Sequence, residues 1–512
     1  MKTNDKKKVG FIERVGKKIP DPAIIFSVFF AVVMVLSIFM GGMKFETIGA
    51  DGGTITYEIK NMFKAENFRW IFDNALITNW LAYGGGVLGT ILVVMLGVGI
   101  AEEAGLLSTL IKKIGTKVSD KFLPVILVFI GIMSSIATDA GYIILIPLAG
   151  LLYVGLKKNP LIGMAAAFAG VSAGFSANLL PGTPIDVIVG NNAKAFAEGQ
   201  GVPFVTAQGA PITPATMHYY FIVVSTILLA VVGYFVTAKF VKPKLEKESY
   251  VVPEDLNLGD FNVKEEENKG LLWAGLGLLI ALVLIIIAAF GPLAPYVNED
   301  GKTIKPVLDN IILLITFAFF MPGLFYGIKV KKFNSAMDII KAMSKQMSNM
   351  GYILVLTFIS YNFLAILSYS NLGTYITYLG ATLLENIGVA EYPLLLLIGF
   401  ILITSIINLF VGGLTAKWML LGPIFIPMLY QVNSSLTPDM VSAAYRIADS
   451  STNVISPLMS YAGIILVFMK KYKPEYTLGD MIKLMFPYSI AFLITWTVLL
   501  IVFFTFGIPL GF

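Results

Sequence analysis

The sequence predicts an all-α polytopic membrane protein with nine transmembrane helices and two opposed re-entrant hairpins in an inverted repeat. Three observations support this fold class. Of 512 residues, 57% are hydrophobic and 13% are charged, which is about half the charged fraction of an average soluble domain. Runs of about 20 nearly uncharged residues recur, and that length crosses a hydrocarbon core of roughly 30 Å. A polar phrase also occurs twice inside these apolar regions, at a nearly constant offset.

The first crossing follows a strongly basic N-terminus, residues 1–22. The apolar segment 23–42 is longer than the core of a typical signal peptide, and no small-residue cleavage site follows it. We therefore expect a retained transmembrane helix with its basic N-terminus in the cytoplasm.

Nine segments have the length and composition of complete crossings. They are 23–42, 80–103, 161–196, 218–240, 270–292, 307–328, 347–369, 440–469 and 485–507. Two further apolar regions, 122–156 and 393–431, contain a polar or glycine-bearing phrase near the middle, "SSIATDAG" and "NLFVGGLTAKW" respectively. Irregular backbone at membrane depth needs protein or water as a partner, so these regions are predicted to be re-entrant hairpins.

The distribution of basic residues supports this topology. With a cytoplasmic N-terminus, 28 of the 37 Lys and Arg residues fall in cytoplasmic segments and seven fall outside. The remaining two, Lys417 and Arg446, lie within the membrane. This bias predicts a multi-pass protein of the plasma (inner) membrane with a cytoplasmic N-terminus and an external C-terminus.

The chain also repeats itself. We expect a first repeat at 23–240, a cytoplasmic linker at 241–269 and a second repeat at 270–512. Matched positions are offset by 275 to 277 residues; the pairs are Asn178 with Asn453, Pro147 with Pro423, and Thr138 with Thr415. Each repeat contains a helix interrupted by a polar phrase, "SANLLPGTP" within 161–196 and "SSTNVISP" within 440–469. Inverted repeats of this kind place the substrate and ion sites of secondary transporters at the bilayer midplane.

The buried charges allow two interpretations. Arg446 and Asp449 are three residues apart on one helix face, so they could neutralise each other and simply hold the fold together. Alternatively they form a functional site, which the recurrence of the break favours. Lys417 either pairs with a nearby carboxylate or binds a ligand, and Trp418 is either an anchor or a ligand platform. His218 opens an apolar span and is predicted to be an interfacial anchor, with a proton relay as the alternative.

Several functions are disfavoured by composition. The chain has no cysteine and one histidine, which removes disulfides, thiolate metal sites, cysteine nucleophiles and two-histidine zinc motifs. We therefore expect no enzyme, no nucleic-acid partner and no cofactor other than Na⁺ or H⁺ as a coupling ion. The expected partners are the lipid bilayer and a small anionic substrate.

At several phrases the sequence resembles the p-aminobenzoyl-glutamate transporter (AbgT) family. They are "NWLAYGGGVLGTILVVMLGVGIAEEAGLL", "ATDAGYIILIPLAG", "AGFSANLLPGT", "NLFVGGLTAKWMLLGPIFIPM" and "YRIADSSTNVISPLMSY". The resemblance implies a homodimer with an inner dimerisation core and an outer transport part. It also implies ion-driven movement of p-aminobenzoyl-glutamate-like aromatic anions, with export of sulfonamide-type antimetabolites, by an elevator-like shift of the hairpin domain.

The resemblance and the polar residues within the apolar regions together indicate site residues. Those expected in the substrate pathway are Asp186, Thr415, Lys417, Trp418, Arg446 and Asp449. Those expected to couple the ion are Asn178, Asp449 and Asn453. Arg446, alone or with Lys417, would bind the substrate carboxylate, and Trp418 would stack on its aromatic ring. The chain departs from the family pattern at Pro181 and Pro184, beside Asp186.

Two rival functions remain open from the sequence. One is a sodium-coupled dicarboxylate or other organic-anion symporter of the same architecture. The other is an ion channel, against which the opposed orientation of the hairpins argues.

Overall fold

The structure, a computed structural model of the chain, describes most of its residues. The described ranges are 21–48, 54–115, 122–136, 141–252, 263–298, 303–411, 413–457, 459 and 461–512. Parts of three predicted features lie outside them: almost all of the N-terminus 1–22, the middle of the linker 241–269 and the predicted tip of the first hairpin at 137–140.

The described residues in the first half of the chain are mostly helical and include one strand pair. Its elements are α1 (Pro22–Met40), β1 (Lys44–Ile48), β2 (Thr54–Glu58), α2 (Ala65–Asn74), α3 (Tyr83–Glu103), α4 (Leu106–Gly115), α5 (Leu123–Met133), α6 (Ile146–Gly155), α7 (Pro160–Phe168), α8 (Pro184–Glu198), α9 (Tyr219–Val236) and α10 (Lys242–Leu245).

The described residues in the second half of the chain are also mostly helical. Its elements are α11 (Glu265–Phe290), β3 (Tyr296–Val297), β4 (Thr303–Ile304), α12 (Pro306–Asp309), α13 (Ile311–Lys329), α14 (Ala336–Asn349), α15 (Gly351–Tyr369), α16 (Leu372–Asn386), α17 (Pro393–Asn408), α18 (Leu414–Val432), α19 (Pro438–Asn453), α20 (Ala462–Lys470) and α21 (Leu478–Thr505).

Short π-helical or 3₁₀ segments extend several of these helices. They are Ile77–Leu81, Ser134–Ile136, Gly141–Leu145, Ala169–Ala173, Pro214–Thr216 and Thr237–Val241. Both strand pairs are antiparallel. β1 and β2 run from the pair Lys44–Glu58 to the pair Ile48–Thr54, while β3 and β4 pair only Tyr296 with Ile304 and Val297 with Thr303.

Helix starts follow the local sequence closely. Pro22 opens α1 after Asp21, whose carboxylate accepts from the Ala23 amide at 2.8 Å. Pro160 opens α7 after Asn159, which caps the amide of Leu161. These caps satisfy amide groups that have no partner within the helix, and proline has no amide hydrogen to lose at that position.

Within the described part of the chain, six helical segments are long and apolar enough to cross a membrane. They are Pro22–Met40, Pro214–Leu245, Glu265–Phe290, Ile311–Lys329, Gly351–Tyr369 and Leu478–Thr505. The predicted crossings 161–196 and 440–469 are absent from this set because both are interrupted. α3, at 21 residues, is about 31 Å long on the usual rise per residue.

Among the residues that the structure describes, the buried hydrophobic side chains form two clusters. The larger one includes residues of α5–α9 and α17–α21, together with parts of α1, α3 and α15. The smaller one joins α3, α11, α13 and α14 through small residues such as Ala101 and Ala274 with Tyr326. Glycines allow the close approach here: a Cβ at Gly97 would lie 2.3 Å from the Thr316 carbonyl oxygen. We call the elements α3, α11, α13 and α14 the scaffold.

The two repeats pack alike. In the first, α5 and α6 both pack against α7, which precedes the break in 161–196. In the second, α17 and α18 both pack against α19, which precedes the break in 440–469. The repeats also meet directly, because α8 of the first packs against α18 and α19 of the second.

Candidate functional site

The first helix break follows from its prolines and glycines. α7 continues as a π-helical turn to Ala173, and the chain then leaves the helix until Pro184 opens α8. Gly182 has φ +65°, a conformation that favours glycine. Asn178 stabilises the irregular segment, because its Oδ1 accepts from the Leu180 amide at 2.9 Å.

Asp186 is part of the N-terminal cap of α8. Thr183 and Asp186 form a capping box at the start of α8, in which the Asp186 carboxylate accepts from the Thr183 amide at 2.9 Å. The same carboxylate lies 2.7 Å, Oδ1 to Nη2, from the guanidinium of Arg446 on α19. Asp186 therefore contacts Arg446 although Pro181 and Pro184 lie close to it in the sequence.

Arg446 connects the two repeats. Its Nη2 donates to the Ser176 carbonyl oxygen at 2.6 Å, inside the first break, as well as pairing with Asp186. Its Nη1 lies 3.1 Å from Nδ1 of His218. The phrases Ser176–Pro184 and Ser450–Pro457 thus lie near each other. The buried guanidinium of Arg446 lies between the segments that carry them.

His218 is not the interfacial anchor that its position in the sequence predicts. The ring is 2% exposed, and Nε2 lies 2.8 Å from the backbone carbonyl oxygen of Asp439. A guanidinium can only donate, so Nδ1 is the acceptor from Arg446 and Nε2 carries the hydrogen that is donated to Asp439. The imidazole is held in one neutral tautomer by two neighbours.

A second buried pair lies on α18 and α19. The Lys417 ammonium forms an ion pair with Asp449, and each of these residues is only 1% exposed. Lys417 also donates to Oδ1 of Asn408, at the end of α17. Asn408 in turn donates to the Asp449 carbonyl oxygen at 2.7 Å and to Oγ1 of Thr452 at 2.9 Å.

These contacts correct the pairing that sequence spacing favours. Arg446 and Asp449 are adjacent on one helix face, yet Arg446 pairs with Asp186 and Asp449 pairs with Lys417. The partners, Asp186 on α8 and Lys417 on α18, both lie on other helices, and each carries a full opposite charge.

Trp418 is packed inside the protein. Its ring is fully buried, its Nε1 donates to the Val189 carbonyl oxygen at 3.1 Å, and its ring lies 4.5 Å from that of Tyr445. Phe196 meets it edge-on at 5.8 Å between ring centroids. The indole therefore joins α18 to α8 and α19. Thr415, three residues earlier, is partly exposed near the start of α18.

A cavity of about 270 Å³ lies between the two breaks. The first repeat lines it with Ser134, Ser135, Tyr142 and the start of α8 at Pro184 and Ile185, while the second adds Gly413, Leu414, Asp449, Asn453 and Tyr461. The remaining wall is apolar and includes Ile91 and Met95 of α3 with Met350 and Ile353 at the start of α15.

The cavity holds three kinds of recognition group. The rings of Tyr142 and Tyr461 are stacked, 4.4 Å apart and inclined by 7°, and form an aromatic wall. The N-termini of α8 and α18 both reach the cavity, and such ends carry partial positive charge. Asp449 adds a carboxylate, and Asn178 lies close by, donating to Oγ of Ser135 at 3.0 Å.

The predicted residues thus divide into two groups. Asp449 and Asn453 line the cavity, whereas Asp186, Arg446, Lys417 and Trp418 lie in the protein around it. Sequence reasoning missed Asn408, His218 as a partner of Arg446, and the Tyr142–Tyr461 stack. Asn408 could have been found, because it matches the polar break at the end of an otherwise apolar segment.

The chain is also similar to a known protein family and to several known proteins. The model of the family described as "AbgT putative transporter family" matches residues 7–512. The p-aminobenzoyl-glutamate transport protein of Escherichia coli K12 is 30% identical over 505 residues, covering 98% of this chain and 95% of that relative.

Two solved structures are also similar. The Alcanivorax borkumensis YdaH transporter, reported with an unusual topology, has a TM-score of 0.86 at 33% identity, covering 96% of this chain and 100% of that one. Neisseria gonorrhoeae MtrF, from a class described as antimetabolite efflux pumps, has a TM-score of 0.82 at 33% identity, with 96% of both chains covered. With a family model that spans nearly its whole length and relatives of this kind, the chain belongs to the AbgT family of membrane transporters.

Proposed function

We propose that this protein is an ion-gradient-driven secondary transporter of p-aminobenzoyl-glutamate-like aromatic anions. The observation that carries the proposal is the cavity between the two breaks, which combines a stacked pair of tyrosines, two helix N-termini and a buried carboxylate. An aromatic ring would lie against Tyr142 and Tyr461. Its carboxylates would face the N-termini of α8 and α18.

The coupling ion would bind in the same cavity. Asp449 and Asn453 offer oxygen ligands there, and Asn178 lies beside Ser135 on the opposite repeat. Hard oxygen ligands suit Na⁺, and a buried carboxylate is equally able to accept a proton. Arg446, Asp186 and Trp418 would act from behind the cavity by holding the two repeats together.

The proposed topology has nine crossings and two opposed hairpins, α5–α6 and α17–α18. In it the N-terminus is cytoplasmic, the protein lies in the plasma (inner) membrane, and both hairpins move as one body against a homodimeric scaffold. The single buried cluster that contains side chains of α5–α8 and α17–α19 supports such a body, because it joins the two hairpins to each other. No chemistry is assigned to the site other than binding and release.

The test is transport in proteoliposomes. Uptake and efflux of radiolabelled p-aminobenzoyl-glutamate are measured with a Na⁺ gradient alone and with a proton gradient alone. We expect saturable flux under one of them, and at least a tenfold loss in Asp449→Asn. Glu46→Gln, an exposed carboxylate change on β1, is the control and should transport like the wild type.

Several results would contradict the proposal. Absence of saturable flux under either gradient excludes this substrate, and competition by simple dicarboxylates instead identifies the organic-anion alternative. Wild-type flux in Asp449→Asn would show that the Asp449 carboxylate takes no part in coupling. Flux that does not saturate would indicate a channel.

A further inference from the structure

A second charged cavity lies away from the one between the two breaks. It has a volume of about 240 Å³ and lies between α10, the residues that follow α10, and the segment that joins α20 to α21. Its charged lining residues are three lysines and three carboxylates: Lys244, Lys473, Lys483, Glu248, Glu475 and Asp480. The cavity therefore offers groups of both signs to a ligand.

Backbone contacts hold the walls of this cavity in place. The Val251 amide donates to the Tyr472 carbonyl oxygen at 2.8 Å, which ties the segment after α10 to the segment before α21. On the other side, Nδ2 of Asn159, directly before α7, donates to the Leu245 carbonyl oxygen at 2.8 Å. The start of the linker is thus attached to both repeats, and the charged groups that it carries are held near those of α21.

Three of the six charges already have partners within the protein. Nζ of Lys473 lies 2.6 Å from Oε2 of Glu248, in a pair that is mostly shielded from water. The Asp480 carboxylate accepts from the Thr477 amide at 3.0 Å and from the Thr477 hydroxyl at 2.6 Å, as the cap of α21. These three groups shape the cavity and are not free to bind a ligand.

The other three charges are free for a ligand. The side chains of Lys244, Lys483 and Glu475 are exposed, and they form no hydrogen bond or ion pair with any other residue that the structure describes. A ligand that satisfies all three needs an anionic group for the two ammonium groups and a cationic group for the carboxylate.

Lys483 also begins an apolar face of α21. Phe486, Ile490 and Ile494 follow it at helical spacing on the same face, and they are 51%, 37% and 59% exposed. α21 packs against α9 and α19 on its other side. In a membrane such an exposed apolar face lies against acyl chains, and a lysine at its end lies at the depth of the lipid headgroups. The cavity therefore lies where a phospholipid headgroup can enter it.

From this arrangement we propose that the cavity binds the headgroup of a zwitterionic phospholipid with a primary ammonium, such as phosphatidylethanolamine. Lys244 and Lys483 hold the phosphate, the lipid ammonium donates to Glu475, and an acyl chain lies along the apolar face of α21. The bound lipid joins the start of the linker to α21. This site is separate from the substrate cavity and does not depend on which substrate is carried.

Other headgroups leave part of the site without a partner. Phosphatidylglycerol has the phosphate but no cationic group for Glu475. The trimethylammonium of phosphatidylcholine has a positive charge but no N–H group, so it cannot donate a hydrogen bond to the carboxylate. Free phosphate reaches only the lysines and has no chain for the apolar face of α21. A primary ammonium on the same molecule as the phosphate satisfies every group.

The first experiment measures which lipid remains bound to the wild-type protein. Delipidated protein in detergent receives equal mole fractions of phosphatidylethanolamine, phosphatidylglycerol and phosphatidylcholine with identical acyl chains, and native mass spectrometry gives the occupancy of each. We expect phosphatidylethanolamine to exceed either competitor by about fivefold, the scale of one exposed charge pair. Equal occupancy of the three lipids overturns the proposal. Displacement of phosphatidylethanolamine by excess inorganic phosphate also overturns it, because the site would then be one for free phosphate.

The second experiment assigns the two halves of the headgroup. Lys244→Gln with Lys483→Gln should lower phosphatidylethanolamine occupancy by about fivefold. Glu475→Gln should remove the preference for phosphatidylethanolamine over phosphatidylglycerol without lowering the occupancy of phosphatidylglycerol. Lys247→Gln, at an exposed position on the same segment but outside the cavity lining, is the control and should behave as wild type. All four positions are exposed, and unchanged melting temperatures in pure detergent confirm that the variants fold.

The outcomes separate this site from the proposed transport function. If the double lysine variant keeps wild-type occupancy, the lipid binds elsewhere and the assignment is wrong. If Glu475→Gln keeps the full preference over phosphatidylglycerol, this carboxylate does not bind the ammonium and the assigned headgroup is wrong. If the wild type fails to move p-aminobenzoyl-glutamate but selects phosphatidylethanolamine as described, the assigned substrate fails and the lipid site stands.

Discussion

Arg446 and Asp186 lie 2.7 Å apart, Nη2 to Oδ1, although they belong to different halves of the chain. Both are buried, at 3% and 5% side-chain exposure, so this pair joins the two repeats where water does not compete. Removing one member of a buried pair leaves an uncompensated charge, which is more damaging than removing both.

We therefore expect Arg446→Ala to lower stability by about 3–5 kcal/mol. Arg446→Ala with Asp186→Ala should be more stable than Arg446→Ala alone. Thermal unfolding in detergent, followed by fluorescence, measures both. The exposed Lys194–Glu198 pair gives the control, where loss of one member should cost at most about 1 kcal/mol. Equal melting temperatures for wild type and Arg446→Ala would contradict the expectation.

His218 is predicted to act as a positioning residue for Arg446. His218→Phe keeps most of the ring volume but leaves the Arg446 guanidinium and the Asp439 carbonyl without this partner. Each lost partner of a buried polar group costs about 1–3 kcal/mol. His218→Gln, which can still accept and donate, should recover part of the loss.

The measurement for His218 combines melting temperature with transport kinetics. A rise in the substrate KM of His218→Phe that His218→Gln partly reverses indicates positioning of Arg446. Tyr220→Phe, at a partly exposed ring two residues later, is the control. Wild-type stability in His218→Phe would show that the two hydrogen bonds contribute little.

Trp418 is predicted to stabilise packing instead of contacting substrate. Trp418→Ala should lower stability by about 3–5 kcal/mol, because it empties a fully buried position between α8, α18 and α19. Trp418→Phe should lose mainly the hydrogen bond to Val189 and keep the substrate KM within about twofold of wild type, since one buried hydrogen bond is worth about 1 kcal/mol. A large rise in KM for Trp418→Phe, at unchanged melting temperature, would instead indicate direct stacking on substrate.

Gly170 marks a close approach of the first broken helix to α5. A Cβ at this position would lie 2.2 Å from the Val128 carbonyl oxygen and 2.9 Å from Cα of Gly131. Gly170→Ala must push backbone against backbone, so we expect a loss of about 1–3 kcal/mol and less folded protein. Gly399→Ala, where nothing lies within 4 Å, is the matched control and should change stability by no more than about 1 kcal/mol. The yield of monodisperse protein and its melting temperature give the readout.

The helix breaks could be predicted from sequence because their cause is local. Two prolines and a glycine within four residues, Pro181, Gly182 and Pro184, strongly disfavour a continuous α-helix, and polar side chains beside them mark the interruption within apolar surroundings. The repeat offset then related the two breaks. The strand pair β1–β2 and the helix α2 in the loop 43–78 had no comparably distinctive signal.

The partners of the buried charges could not be predicted in the same way. Spacing along one helix proposes Arg446 with Asp449, but it carries no information about which other helix approaches. Asp186 and Lys417 come from α8 and α18, whose contact with α19 is a property of the tertiary fold. His218 was assigned to the interface for the same reason, because its contacts with Arg446 and Asp439 cross more than 200 residues.

The apolar side of the cavity has a mechanical consequence. Ile91 and Met95 of α3, with Met350 and Ile353, supply methyl and thioether groups to this wall, whereas the charged side chains of the site pair among α8, α18 and α19. A displacement of the hairpins along α3 would replace one apolar contact with another and leave both ion pairs of the site intact. The energy barrier to such a displacement would be set by the shapes of the apolar side chains and not by the breaking of salt bridges.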